Sequence, residues 1–353
     1  MNTRPIFSRL ILLVLLTGPA AASARADEFS AAAKAGKFLG LPETAIEAAR
    51  EDSPALRALG ARLFGDTRLS VSGDMACATC HVPAEAFTQN GRATSAGRSG
   101  KGQRRNAPTI LNVSLYGQFF HDGRAGSLFL QSLVPFTEPD EFANPSMDAV
   151  VARVRGLSDY AGRFEAAFGR KADAIAIAAA IAAYERGLLA GGSAFDRWKY
   201  GGEAEALSAS AKRGFAIFQG KAACAACHLV GKTSASFEDG QFHNTGVGWP
   251  GKGVKLDTLA DRGREEATGR ASDRFKFKTP GLRNVALTAP YMHDGSIKDL
   301  KGVVEFYNKG GIRNPTIDPL VRPLKLTDGE IADLVAFLES LTSPRARELE
   351  KQP

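Results

Sequence analysis

Two stretches carry the apolar, alanine-rich composition of helices, residues 44–64 and 172–189. A third helix is announced by its cap. Thr327-Asp-Gly-Glu330 is a capping box, in which threonine and glutamate satisfy each other's backbone donors, and it opens a helix over 331–341. Glycine pairs at Gly191-Gly192 and Gly201-Gly202 suggest a linker near residue 200. Residues 231–280, rich in Gly, Lys and Asp, read as loop, and the charged tail after Ser343 reads as frayed.

One apolar run has a different meaning. Leu10 to Leu16 follow Arg4 and Arg9 and precede Ala24-Arg25-Ala26, the order of a secretory signal peptide over 1–26. The run is too short for a bilayer span, which disfavours an uncleaved anchor, and no later segment is long enough for a stable membrane span.

Length and charge narrow the picture further. A chain of 353 residues suggests about two domains, and 44% hydrophobic residues provide a sizeable core. The formal charge of +7 loses three arginines and no acid with residues 1–26, and the remaining +4 forms no dense basic block. Nucleic acid is therefore not an expected partner.

All four cysteines fall in two motifs, Cys77-Ala-Thr-Cys80-His81 and Cys224-Ala-Ala-Cys227-His228. C-x-x-C-H is the attachment signature of c-type haem. Two thiols one helical turn apart can bond the two haem vinyl groups, and the adjacent imidazole can serve as proximal iron ligand. A thioredoxin-like pair or a chance match explains one motif poorly and two copies worse. Neither motif alone makes a complete zinc site.

The motifs belong to an internal repeat. Pro108-Thr-Ile-Leu-Asn112-Val-Ser-Leu115 matches Pro280-Gly-Leu-Arg-Asn284-Val-Ala-Leu287 at an offset of 172, and the same offset carries His121-Asp-Gly onto His293-Asp-Gly. The second half has the longer insertion, 65 residues from His228 to His293 against 40 from His81 to His121. In the same register Tyr307 falls on Pro135. If this position faces the distal side of each haem, the halves differ chemically. A tyrosine phenolate can ligate iron and a proline cannot, so the second haem would be closed and the first open. An ordinary packing tyrosine is the simpler reading of Tyr307 on position alone.

These residues resemble the bacterial di-haem cytochrome c peroxidases, and especially their MauG-like branch. The matching stretches are Cys80-His-Val-Pro-Ala-Glu-Ala-Phe87-Thr88, Arg105-Asn106-Ala-Pro-Thr-Ile-Leu-Asn112, Phe120-His-Asp-Gly-Arg-Ala125 and Pro135-Phe-Thr-Glu-Pro-Asp-Glu141-Phe142. The second half adds Phe242-His243-Asn-Thr-Gly246, Thr279-Pro-Gly-Leu-Arg-Asn284, Ala289-Pro-Tyr-Met-His-Asp-Gly295 and Phe306-Tyr307-Asn-Lys-Gly-Gly311. The resemblance implies a mainly α protein of two cytochrome-c-like haem domains related by the repeat. A peroxide-reactive domain over 27–200 would precede an electron-transfer domain over 201–353.

It also implies roles. His81 and His228 would be proximal ligands, and Tyr307 the sixth ligand of the second haem. Met75, Met147 and Met292 stand away from that position. Glu141 matches the family's distal acid and Gln131 a polar distal residue of the MauG-like branch. On the residues alone, these two read as a solvated acid and a surface glutamine. Asn106, Thr288 and Pro290 map onto ligands of a calcium ion between the haems, and otherwise shape turns. The loop from His81 to Asn106 holds no histidine that could cap the first iron, so no reductive activation is expected. His121 departs from the family, which usually carries an electron-relaying tryptophan there. That puts MauG-type charge sharing between the haems in doubt. His293 reads as structural, holding the loop of Thr288 and Pro290.

The function expected from the resemblance is a periplasmic peroxidase. It would reduce hydrogen peroxide with electrons from a small redox protein, a cytochrome c or a cupredoxin. The alternatives are a MauG-like enzyme oxidising side chains of a protein substrate, or a non-enzymatic electron carrier, which an open first iron disfavours.

Overall fold

Proline decides the first helices. The computed structural model describes residues 35–251 and 261–351, so the expected leader and part of the loop over 231–280 lie outside the described residues. Residues 44–64 form two helices where one was expected, α1 Glu43–Glu51 and α2 Pro54–Gly65. Ser53 caps α2 by accepting the Leu56 N–H at 2.9 Å. Pro54 takes the first position, where a missing N–H costs nothing, and it cannot continue α1.

The rest of the first part is α3 Cys77–Cys80, α4 Leu128–Thr137, α5 Met147–Gly156, α6 Arg163–Phe168 and α7 Ala174–Arg186. The second part holds α8 Ala194–Lys199, α9 Ala209–Gln219, α10 Glu265–Thr268, α11 Leu300–Asn308, α12 Asp328–Glu339 and α13 Pro344–Leu349. Two-residue strands β1 Phe242–His243 and β2 Phe277–Lys278 pair antiparallel, with Phe242 opposite Lys278. Among the described residues, no helix is long and apolar enough to cross a membrane.

Each part is built on one close helix crossing. Helix α2 meets α7 at Gly60, where a Cβ would fall 1.9 Å from the Ala180 carbonyl oxygen. Helix α9 meets α12 at Gly214, where a Cβ would fall 1.9 Å from the Asp333 carbonyl oxygen. Only glycine permits this approach. The capping box at Thr327 opens α12 as expected.

Around the crossings lie two apolar cores. The first includes Leu59, Leu63, Phe87, Phe136, Phe164 and Ile177. The second centres on Phe195, whose ring lies 5.1 Å from Phe215 and 5.5 Å from both Phe237 and Phe337. Such aromatic pairs contribute about 0.5–1.5 kcal/mol each beyond their burial.

Of the two glycine pairs near residue 200, the first forms no free linker, while Gly201 and Gly202 are exposed. Gly191, Gly192 and Ser193 are buried. Just beyond them Asp196 and Arg283 make an ion pair with side chains 0% and 3% exposed. After Ser343 the described residues, up to 351, are likewise ordered, contrary to expectation. Ser343 caps α13, Pro344 starts it, and Ala346 and Leu349 reach back into the first core.

The repeat is visible in backbone detail. Asn112 and Asn284 both adopt the left-handed conformation, with φ of 59° and 63°. Their N–H groups donate to the carbonyls of Leu188 and Leu341, at 2.9 and 3.1 Å. Their Oδ1 atoms accept from the N–H of Ala190 and Ser343, at 2.7 and 2.8 Å. Phe119 bridges to Ala125 as Tyr291 bridges to Ile297. Ser127 caps α4 and Asp299 caps α11, again 172 apart. The chain thus forms two cytochrome-c-type domains on one plan.

Candidate haem sites

The attachment cysteines sit where a short turn presents both thiols. Cys77 and Cys80 begin and end α3, and Cys224 opens the 3₁₀ turn Cys224–Ala226 with Cys227 just after it. All four thiols are free, as thioether formation requires. His81 and His228 follow, and each ring is fixed the same way. His81 Nδ1 lies 3.2 Å from the Phe87 carbonyl and His228 Nδ1 lies 2.8 Å from the Phe237 carbonyl. A donating Nδ1 holds the proton there and leaves the Nε2 lone pair for a metal. Burial also pushes both imidazoles below their usual range, which favours the neutral, ligating form.

The carbonyls are aimed by strained backbone. Phe87 and Phe237 have φ of 57° and 56°, rare for bulky side chains, and their N–H groups bond to the residues directly after the histidines, Val82 and Leu229. Both cradles fit a covalently held haem.

The distal elements differ. Pro135 stands eight residues after the Ser127 cap of α4, and Tyr307 eight after the Asp299 cap of α11. Burial pushes the Tyr307 phenol up, and the nearby Cys224 and Cys227 thiols add to this, so Tyr307 lies beside the second attachment pair. Without a cation it stays protonated. A ferric iron would stabilise the phenolate.

Gln131 precedes Pro135 by one turn on the same face of α4 and is half-buried. Glu141 follows that helix. Its carboxyl forms no hydrogen bond or ion pair with the described residues. Burial pushes its pKa up, Glu138 adds to the shift and Arg124 opposes it. The fields of Glu141 reach both Cys77 and Cys80, which places it beside the first attachment pair.

The two HDG motifs meet at Asn106. The Asn106 N–H donates to the His293 carbonyl at 2.7 Å, and the Asn106 carbonyl lies 3.0 Å from His121 Nε2. The His293 ring stacks on Phe277 with centroids 3.5 Å apart. Contact with His293 brings Asn106 against the loop that carries Thr288 and Pro290. The Asn106 Nδ2 group is spent on the Ala93 carbonyl at 2.9 Å, which leaves Oδ1 for a hard cation. The Thr288 hydroxyl is engaged with the Val285 carbonyl at 3.1 Å, so its own contribution to such a site would be the backbone carbonyl.

Two residues near the haem sites were given no role by the sequence. His243 is held between Asp318 at 2.6 Å and Asp239 at 3.0 Å. Contact with Cys227, followed by those two aspartates, raises its pKa to about 10. Cys227, Asp239 and His243 lie close enough together to hold a metal, but Cys227 is committed to the haem. The second residue is Glu185 on α7, 5% exposed, whose Oε2 has no hydrogen-bond partner. The motif register stopped at residue 135, and nothing in an alanine-rich helix marked Glu185.

Known proteins match this geometry. Residues 54–205 match the family described as di-haem cytochrome c peroxidase, and residues 211–342 match cytochrome c. The methylamine utilization protein MauG of Methylorubrum extorquens is 39% identical over 94% of this chain and 90% of its own. A cytochrome-c peroxidase of Denitromonas iodatirespirans is 37% identical over 92% of each chain. The crystal structure of a MauG-like protein associated with microbial copper homeostasis superposes with a TM-score of 0.74 at 34% identity, covering 86% of this chain and 92% of that one.

Proposed function

The chain belongs to the di-haem cytochrome c peroxidase family, and from that premise we propose that it reduces hydrogen peroxide at its first haem, in the periplasm, with electrons from a small cytochrome c or cupredoxin entering through the second. It is an oxidoreductase of the cytochrome-c peroxidase type with two haems c. The observation that carries the reading is the distal pair. Pro135 and Tyr307 stand on equivalent helices, eight residues past equivalent caps, so a haem in each half would meet an accessible side at Pro135 and a closing phenol at Tyr307.

When bound, the haems supply electrons one at a time to the oxygen–oxygen bond. The protons are the protein's task, since peroxide takes two electrons and two protons to become two waters. Glu141 takes a proton from one peroxide oxygen and returns it to the other, which leaves as water. Its raised pKa suits both halves of that transfer. The Gln131 amide orients the peroxide. His81 and His228 would hold the irons through Nε2. Asn106 Oδ1 and the Thr288 and Pro290 carbonyls would hold a calcium ion that ties the two HDG loops together.

A second reading, oxidation of side chains on a partner protein, is favoured by the 39% identity to MauG. His121 counts against it, because imidazole is much harder to oxidise than the indole it replaces. Its Nε2 is already engaged by Asn106.

Electron paramagnetic resonance of the ferric holoprotein tests the proposal. One high-spin and one low-spin haem are expected, and Tyr307→Phe should abolish the low-spin signal. Two low-spin haems would remove the open site, and an unchanged spectrum in Tyr307→Phe would remove the tyrosine ligand. Rapid turnover of peroxide with a reduced small cytochrome separates this reading from slow turnover with covalent change in a partner.

A further inference from the structure

The two halves differ at a second pair of equivalent positions. Gly60 packs on Ala180 as Gly214 packs on Asp333, and Asn112 bonds to Leu188 as Asn284 bonds to Leu341. The second partners of both relations, Ala180 with Asp333 and Leu188 with Leu341, share an offset of 153, which pairs Glu185 with Leu338. Leu338 is an ordinary core leucine, 8% exposed. Glu185 is more deeply buried, with Oε2 unpartnered. An orphaned carboxyl in a core costs about 1–3 kcal/mol, and leucine is the residue the fold accepts there. The carboxyl lies beside the first attachment segment, because its field acts on the Cys77 thiol more strongly than any other charge does.

We propose that Glu185 is a redox-linked proton site of the first haem domain, taking up one proton from solvent when the haem held by Cys77 and Cys80 gains one electron, and releasing it on oxidation. The charge argument is direct. An oxidised haem carries one more positive charge than a reduced one, so it stabilises the carboxylate, and reduction stabilises the acid. Proton uptake leaves the net charge of the buried pair unchanged.

Among the described residues Glu141 is also pushed up by burial but acts on Cys77 more weakly than Glu185, and the charges on the elements packed around Glu185 are otherwise engaged. Arg186, the one cation acting on Glu185, is bonded to Asp52 at 2.8 Å. On α2, Arg57 bonds to the Ala49 and Asp52 carbonyls and Arg62 pairs with Asp159. On α1, Glu43, Glu47, Arg50 and Glu51 are exposed. On α5, Arg153 bonds to the Leu69 and Ser70 carbonyls, Arg155 to the Ala172 carbonyl, and Asp148 lies in the first turn. Helix α4 has no ionisable side chain. Tyr184, beside Glu185, is pushed up by burial, and Cys77, once bonded to haem, does not titrate. Burial likewise pushes Glu185 itself up to about 8, within reach of neutral pH.

The test is spectroelectrochemical titration of the holoprotein from about pH 6 to about pH 9. The first haem's midpoint potential should fall with rising pH, by at most about 59 mV per unit for one proton per electron. Glu185→Gln should flatten that dependence and leave the second haem's potential unchanged, whereas Glu141→Gln should retain it. A slope unchanged in Glu185→Gln, or abolished by Glu141→Gln, overturns the assignment. Redox-difference infrared spectroscopy of the unaltered protein needs no variant to fold. It should show the carbonyl band of a protonated carboxylic acid growing on reduction, and its absence also overturns the assignment. The inference requires a haem at Cys77 and Cys80 but not peroxide as substrate, so either reading can fail alone.

Discussion

The two haem domains share a scaffold to the level of single hydrogen bonds, yet their chemistry diverges at a few side chains. Each crosses its helices at a glycine, steadies its proximal histidine on a left-handed phenylalanine carbonyl, and folds an HDG turn behind a left-handed asparagine. The halves part at Pro135 against Tyr307 and at Glu185 against Leu338. Positions that build the haem cradle are held in common. On the proposed function, positions that would face the iron's free side or the buried edge set whether a half reacts or conducts. In this protein specialisation runs through substitution within one frame, and each difference can be tested against its counterpart.

The largest expected effect concerns proton transfer, for which the second half has no equivalent. Glu141→Gln keeps the shape of the side chain and removes its basicity. Peroxide turnover should fall by about 10²–10⁴-fold, the usual contribution of a positioned acid/base. The low-spin signal of the second haem and its reduction by a small cytochrome should not change. A variant that loses both activities would place Glu141 in the scaffold rather than in the chemistry. Stopped-flow reduction measured beside steady-state turnover distinguishes the two.

The next contrast concerns the shared frame. Gly60→Ala and Gly214→Ala each push a methyl group onto a backbone carbonyl that cannot swing aside. Each should cost about 1–3 kcal/mol by forcing the crossing helices apart. If the domains are true equivalents, each substitution should weaken its own half first. Denaturation followed separately at the two haem absorption bands should show Gly60→Ala lowering the first transition and Gly214→Ala the second. A single joint transition in both variants would mean that the interface, including the Arg283 bond to the Gly40 carbonyl and α13 in the first core, couples the halves into one unit.

Local signals were legible in the sequence, and contacts between distant segments were not. The paired C-x-x-C-H motifs, the repeat offset and the Thr327 capping box need only neighbouring residues, and the helical two-domain fold followed from them. The break at Ser53-Pro54 was equally local, but the apolar composition on both sides masked it. The ordering of the tail was hidden for a different reason. Ser343-Pro344 is a helix start, but α13 is held by burial against a core some 150 residues earlier, which composition does not report. The glycines at 191–192 looked like a hinge because glycine also serves close packing, as it does here against residues 36–39. Glu185 shows the limit most clearly. A charged residue on a helix is normally solvated, and only the fold turns this one inward.

The smallest contrast is between the HDG histidines, and it appears as pH dependence. Burial, with the charges of His293, Arg105 and Lys278, lowers the pKa of His121 from 6.5 to about 4, although its bond to Asn106 opposes the shift. The unfolded chain therefore binds this proton more readily than the folded one. Stability supplied by the neutral ring is complete above about pH 6.5 and is lost as the pH falls towards 4. His293 is shifted in the same direction, first by burial, with Asp294 and Asp261 opposing. The urea midpoint of the holoprotein should thus decline between pH 6.5 and 4. His121→Gln, whose amide can still donate to the Asn106 carbonyl, should remove part of that decline and leave the share due to His293. An unchanged profile would mean that His121 is solvated and titrates normally in the folded protein. Position 121 would then border a water-filled gap between the haem domains rather than the packed tie seen at Asn106.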